Sequence, residues 1–335
     1  MIQLTEQGIG DNPKAHPPLP GKQSLTSRFP FLRKTSRSLK KNAVFFFMSL
    51  PALLLLFVFN YLPIPGIIIA FKNFKAAKGL FGSEFVGFKN FEFLFTSATA
   101  WRITSNTLIL NSIFIVSGIA MSLGIALLLN EVRKPGLTRI YQSSVFFPYF
   151  VSWVIVGMFS FAMLNSDNGL INGTLVKLGL EPISWYSKPQ YWPFVLTVVH
   201  LWKSSGYWSI IYLAAILGIS TEYYEAAMID GASRLQQTLR ITLPLLMPLI
   251  IINVLLSVGR IFFADFGLFY YVTNDSSMLY PTTDVIDTYV FRALRSMGDF
   301  GMAAAAGLYQ SVVGFVLIVL SNWVVKRIDP EKSLF

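Results

Sequence analysis

Six apolar stretches, each near the roughly 20 residues that a helix needs to cross a bilayer, run along the chain at about 44–71, 107–129, 143–164, 194–217, 245–270 and 302–325. Pro51, Pro63 and Pro65 argue against one straight helix in the first stretch, and Pro148 predicts a kink in the third. Residues 1–42 are polar, basic and Pro-containing, and read as a disordered tail on an anionic membrane face. The apolar run begins only near Ala43 and outlasts a signal-peptide core without an A-x-A-like site, which argues against a cleaved leader. The spans and their loops occupy 43–330, and 331–335 form a short polar end.

The pattern is interrupted most sharply at 221–248, TEYYEAAMIDGASRLQQTLRITLPLLMP, a polar and small-residue island between the fourth and fifth stretches. Ser220 or Thr221 can cap a short helix on which Ala226 and Ala227 permit close approach, and Asp230-Gly231 supplies a stop that tolerates left-handed backbone. Ser233 and Gln236 then have the spacing of a capping box, Leu235, Leu239 and Leu243 recur at helical intervals, and Pro244 and Pro248 lead into the next apolar run. The expectation is a helix, a sharp turn and a second helix at the membrane edge, with Glu225 able to reach a basic partner. On the residues alone, an ordinary amphipathic connector fits equally well.

Composition narrows the class. Hydrophobic residues make up 54% and charged residues 13% of 335 residues, as in a polytopic membrane protein. The formal charge of +10 is a matter of position before it suggests nucleic acid, because membrane proteins gather Lys and Arg in cytoplasmic loops. The six-span pattern places 16 Lys and Arg on the side of the tail, Arg133, Lys134 and the island, and nine on the other, so both termini and the island are expected in the cytoplasm. There is no cysteine, hence no disulfide and no thiolate chemistry, and two histidines, His16 and His200, are too few for a histidine metal cluster. No GxxxxGK[ST] phosphate loop occurs, so the chain is not expected to be an enzyme, and any ATP and its Mg must act on another subunit.

Glu225-Ala226-Ala227, Asp230-Gly231-Ala232 and then Ile241, Leu243 and Pro244 resemble the EAA signature, EAAxxDGA followed by IxLP, of the membrane subunits of bacterial ABC importers. Thr238 departs from the signature, standing where an aromatic is common. FVGFKNF at 85–91 and Asn106-Thr107-Leu108 resemble stretches of sugar-importer permeases, although an interfacial aromatic belt explains the former as well. The resemblance covers roughly 44–330 and is nearest to MalF-like and LplB-like permeases. It implies an all-helical, six-span type I importer fold in the bacterial cytoplasmic membrane. The implied partners are a second, related permease, an ABC ATPase dimer, an extracytoplasmic solute-binding protein, membrane lipid and an oligosaccharide cargo. It also implies that the island, at about 220–247, is the coupling helix pair that docks on the ATPase, with Glu225, Ala226, Ala227, Asp230 and Gly231 carrying the contact.

Ionisable groups inside a membrane are costly and therefore functional candidates. Lys203 lies within the fourth stretch beside His200 and Trp202, and Arg260 and Asp265 lie within the fifth. With Asn253, Tyr207, Trp208, Tyr149 and Trp153 they form a candidate substrate pathway that offers hydrogen bonds and aromatic faces to sugar rings, and for an acidic cargo Lys203 and Arg260 are the natural counter-charges. The competing reading pairs the two cations with acids on neighbouring helices or on the second permease. The 302–307 run, MAAAAG, suits close helix packing. The Asn172-Gly173-Thr174 and Asn274-Asp275-Ser276 sequons are too common by chance to carry an assignment. No convergent acid, base or nucleophile set favours an enzyme. A secondary transporter is disfavoured by the absence of a clear internal repeat. A permease for a non-sugar solute, using the same coupling motif, is the nearest alternative.

Overall fold

The structure, a computed structural model, describes residues 42–132 and 134–329. The expected basic tail over 1–41, Arg133 and the polar end lie outside the described residues. The described residues divide into two compact units, with the division between Pro65 and Gly66.

In the first unit, α1 (Ala43–Leu56) continues through Pro51 into a π-helical turn at Phe57–Tyr61. The helical path then changes to 3₁₀ geometry over Ile64–Phe71, in keeping with Pro63 and Pro65, whose missing N–H groups break the α ladder.

The second unit begins with a short antiparallel ribbon, Lys72–Asn73 with Glu84–Phe85. It continues with α2 (Ala98–Asn130), α3 (Pro135–Phe150), α4 (Trp153–Leu164), α5 (Leu170–Lys177) and α6 (Trp192–Leu217). After these come α7 (Thr221–Ile229), α8 (Arg234–Gln237), α9 (Leu243–Gly259), α10 (Ile286–Arg292) and α11 (Phe300–Ile328). Among the described residues, four helical stretches are long and apolar enough to cross a membrane, 43–71, 98–130, 234–259 and 300–327, and the bent pair α3–α4 makes a fifth if it is counted as one span. The remaining expected span, α6, has the length at 26 residues but is not among them, because it carries the polar run His200, Lys203, Ser204, Ser205, Tyr207 and Ser209.

Two expected spans differ from their sequence reading. The third is broken by 97°, and the break lies at Val151–Ser152 rather than at Pro148. The helix passes through Pro148, Val151 turns extended, and the Ser152 hydroxyl caps α4 by accepting from the N–H of Ile155. The fifth ends at Gly259, so Arg260 and Asp265 stand in an irregular segment before the turn at Leu268–Val272 instead of inside a helix.

Hydrophobic burial supplies the frame. One cluster joins Leu110 and Phe114 of α2, Leu164 of α4, Trp192 and Leu196 of α6 and the 268–272 turn. A second joins the far ends of α2 and α6, through Ala126, Leu129, Tyr212 and Ile216, to Leu246 of α9. A third holds α2, α10 and α11 together through Ile103, Ile286 and Ala306. Ala303, Ala305 and Ala306 are buried, so the small-residue run serves packing. Helix α6 presses on α3 where a methyl group at Gly206 would collide with the Val145 carbonyl.

Candidate functional site

The island folds as its residues dictate. Ser220 caps α7, its Oγ accepting from the Glu222 N–H at 3.4 Å. Gly231 takes φ +75°, a left-handed turn that glycine adopts without steric cost. Ser233 and Gln236 form the reciprocal capping box at 3.3 and 2.7 Å. The two helices are tied together from within: Gln237 is buried and donates to the Ala232 carbonyl at 3.1 Å, and the Tyr224 and Thr242 hydroxyls meet at 2.9 Å. A π-helical turn at Thr238–Thr242 connects α8 to α9, so 234–259 form one continuous helical rod, to which α7 is joined through the Gly231 turn.

On α7 and the turn that leads into this rod, Glu225, Ala226, Asp230 and Gly231 are exposed and Ala227 is half-buried. Apolar side chains surround them: Ile229 is 87% exposed and Leu235 67%, with Tyr223, Met228 and Leu239 also open. Exposed apolar side chains thus stand beside three exposed acids, Glu222, Glu225 and Asp230, and a built turn, and exposed apolar groups gathered in this way are a common mark of an interaction surface. Thr238 is half-buried and donates to the Arg234 carbonyl, so its hydroxyl serves the helix. The apolar surface comes from Ile229, Leu235 and Leu239.

The second feature is a cleft of about 370 Å³ walled by α2, α3, α6 and α9. Of the residues expected there, Tyr149, Tyr207, Asn253, Arg260 and Asp265 line it; Trp202, Trp153 and Lys203 do not. Tyr149 and Tyr207 stack at 4.7 Å, with Trp208 edge-on to Tyr207 at 5.6 Å. Asn253 donates to the Tyr212 hydroxyl at 2.7 Å and accepts from Ser257 at 3.3 Å, so it knits α6 to α9 at the wall.

Lys203 is buried and holds the break in the third span. Its ammonium donates to the carbonyls of Pro148 at 3.3 Å, Tyr149 at 2.9 Å and Val151, with the Trp153 ring centroid at 5.1 Å. Trp202 is 47% exposed on the outer side of α6.

The break after Gly259 is built with equal care. Irregular backbone at membrane depth persists only where protein or a wet cavity satisfies it. Asn111 of α2 donates to the carbonyls of Ile261 and Phe263 at 2.7 and 3.2 Å, and Gln310 of α11 to that of Phe262 at 2.6 Å. Asp287 of α10 accepts from the Ala264 N–H at 2.8 Å and from Gln310 at 3.1 Å. Asp265 accepts from the Gly267 N–H at 3.1 Å and bonds the Trp153 side chain.

The supports Asn111, Asp287 and Gln310, and the cleft residues Ser122 and Ser205, are not among the candidates drawn from the sequence, which are charged groups, His200, aromatics and Asn253. An uncharged polar residue inside an apolar run was the available signal: Asn111, Ser122 and Gln310 each stand in one.

The far end of the helices carries ordered loops. Asn172 is buried, with Nδ2 donating to the carbonyls of Asn165, Ser166 and Ile183 and Oδ1 accepting from the Ile183 N–H and the Trp185 indole. Burial pushes the Tyr186 phenol above its ordinary value, and it stays a neutral donor to the Val272 carbonyl at 3.1 Å. Asp284, 1% exposed at its side chain, joins Arg102 of α2 to Arg292 of α10, which also pairs with Asp275 at 2.8 Å. Asn106 donates to the Asp284 carbonyl at 3.0 Å and the Thr107 hydroxyl accepts from Ile286, so this motif pins the 272–299 segment to α2.

Comparison with known proteins places this geometry. Residues 115–330 match the family described as "Binding-protein-dependent transport system inner membrane component". Protein LplB of Bacillus subtilis is 36% identical over 294 residues, covering 88% of this chain and 92% of LplB. The polygalacturonan/rhamnogalacturonan transport system permease protein YteP of the same organism is 35% identical, covering 85% of this chain and 88% of YteP. Among solved structures, a chain of a bacterial ABC transporter involved in the import of the acidic polysaccharide alginate superposes with a TM-score of 0.80 at 31% identity, covering 88% of this chain and 99% of that one.

Proposed function

Because the chain belongs to the family of binding-protein-dependent transport system inner membrane components, we propose that it is one permease subunit of an ATP-driven importer of oligosaccharides in the bacterial cytoplasmic membrane. The observation that carries this reading is the exposed α7–α8 turn, rigidly joined to α9, whose other end forms a wall of the polar cleft. A push at Gly231 is therefore delivered, through one rod, to Asn253, Ser257 and Arg260.

In this reading α7 and α8 face the cytoplasm and dock on a separate ATPase subunit. ATP and Mg bind there, and the present chain performs no bond chemistry. Ile229, Leu235 and Leu239 supply the apolar contact and Glu225 faces a basic group on the partner. The opposite end, with the loops organised by Asn172 and Asp284, receives a loaded solute-binding protein. The cleft is then half of the cargo pathway and the second permease closes it. ATP on one side and loaded binding protein on the other bias a two-state element, so inward and outward openings alternate as the ATPases close and separate. Tyr149, Tyr207 and Trp208 offer the flat apolar faces and Asn253 and Ser257 the polar edges that sugar rings require. Relatives are named for saccharide cargoes both acidic and neutral: polygalacturonan or rhamnogalacturonan for YteP, alginate for the solved transporter, and trehalose or maltose for MalF of Thermococcus litoralis.

Purification of the chain from its native membrane in mild detergent, with mass spectrometry of what stays bound, tests the assembly. A Walker-motif ATPase and a second EAA permease are expected, both depleted when Gly231 is replaced by Val. A chain that purifies alone and still moves solute would replace this reading with a secondary transporter.

A further inference from the structure

We propose that Arg260 selects the cargo by charge, and that the oligosaccharide entering the cleft carries a uronate carboxylate. The inference rests on the cleft being the cargo pathway and concerns only the chemical class of what enters it.

Among the described residues, three side chains of the Arg, Asp and His types line the cleft, Arg260, Asp265 and His200, beside the phenols of Tyr149 and Tyr207. Asp265 is answered from within the protein. It accepts from the Gly267 N–H, bonds the Trp153 side chain, and lies in the field of the Lys203 ammonium, which points its three hydrogens at carbonyls beside it. His200 stacks on Phe114, ring centroids 4.4 Å apart. Arg260 is exposed to the cleft and, among the described residues, its guanidinium has neither an acid nor a hydrogen-bond partner. The cleft therefore keeps one uncompensated positive charge at membrane depth, where such a charge is costly without a counter-ion. Its fork matches a carboxylate through two parallel bonds, a geometry that a lysine does not provide.

A second observation points to a hydroxyl-rich ligand in the same place. Four buried side-chain polar atoms lack a partner among the described residues, and three of them belong to cleft residues: Ser122 Oγ, Ser205 Oγ and His200 Nδ1. Ser122 is 1% and Ser205 3% exposed. Each orphaned group is unfavourable until something bonds it. Once side-chain rotation turns these buried atoms toward the cleft, a uronate ring brings both complements, hydroxyls for the three atoms and a carboxylate for Arg260. A neutral sugar satisfies the first set and leaves the guanidinium alone.

The test uses the assembled complex held open to the outside by a non-hydrolysing ATPase subunit, with no binding protein present. Binding of a defined oligogalacturonate and of its carboxyl-reduced, neutral counterpart is measured by calorimetry. The acid should bind at least tenfold more tightly. Arg260→Gln should remove that difference by lowering affinity for the acid alone, Arg260→Lys should retain part of it, and Ser205→Val should weaken both probes alike. Equal affinity for the two probes, or an acid preference that survives Arg260→Gln, overturns the inference and leaves the oligosaccharide reading standing. Absence of binding by both probes overturns the cargo pathway itself. An Arg260→Gln complex that sheds its second permease on gel filtration would show that Arg260 is a subunit ion pair, which also overturns the proposal.

Discussion

The Lys203 ammonium sits where an unpaired charge would be expelled by lipid, and three carbonyls at the broken helix end, of which that of Pro148 also accepts from the Val151 N–H, hold it there. The same arithmetic read from the carbonyl side explains the break: Val151 and Ser152 leave the α ladder, and only a multi-proton donor can answer Pro148, Tyr149 and Val151 at once. Lys203→Met should therefore destabilise the chain by about 2–4 kcal/mol, read as a lowered unfolding temperature in detergent. Lys203→Arg should recover little, because a planar fork cannot converge on three oxygens from one point. Asn172 makes a parallel case outside the membrane. Asn172→Ala orphans a buried indole N–H and several backbone groups, and a loss of about 3 kcal/mol is expected, with protease sensitivity appearing first between 165 and 191.

At the scale of elements, the α7–α8 turn was legible because its signals are local. Ser220, Gly231, Ser233 and Gln236 each act on neighbours within a few residues, and all four sit in the structure as their spacing predicts. Gly231→Val places a β-branched residue at φ +75°, a strain of about 1–2 kcal/mol. It should lower ATPase recovery with the chain without lowering the yield of the chain in the membrane.

The ends of the third and fifth spans were not legible, because their causes are distant in sequence. Nothing near Val151 announces that Lys203 will take its carbonyl. Nothing near Gly259 announces that Asn111, Gln310 and Asp287 will replace a helix turn. Hydropathy ran through both breaks, since apolar residues on each side keep the average high. The cleft was half legible for the same reason. Charge drew attention to Arg260 and Asp265, whereas Ser122 and Ser205 gain their meaning from what they face.

At the scale of the whole molecule, two surfaces are joined by one rod. The apolar patch of Ile229 and Leu235 lies at one end of α7–α9, and Arg260, at the C-terminal end of α9, faces the cleft. A rigid connection of this kind passes a displacement along its length, because packed interfaces switch between discrete states and do not deform smoothly. The claim on which everything else depends is that the exposed patch is where an ATPase grips the rod. The chain has no cysteine, so a single Ile229→Cys or Leu235→Cys is a unique handle. The measurement is thiol cross-linking in native membranes from each variant, with the partner identified by mass spectrometry and the yield followed as ATP and then vanadate are added. Cross-linking to a Walker-motif subunit, with a yield that changes with nucleotide, is the predicted result. A thiol that reacts freely with small maleimides yet never joins an ATPase, under any nucleotide, would contradict it.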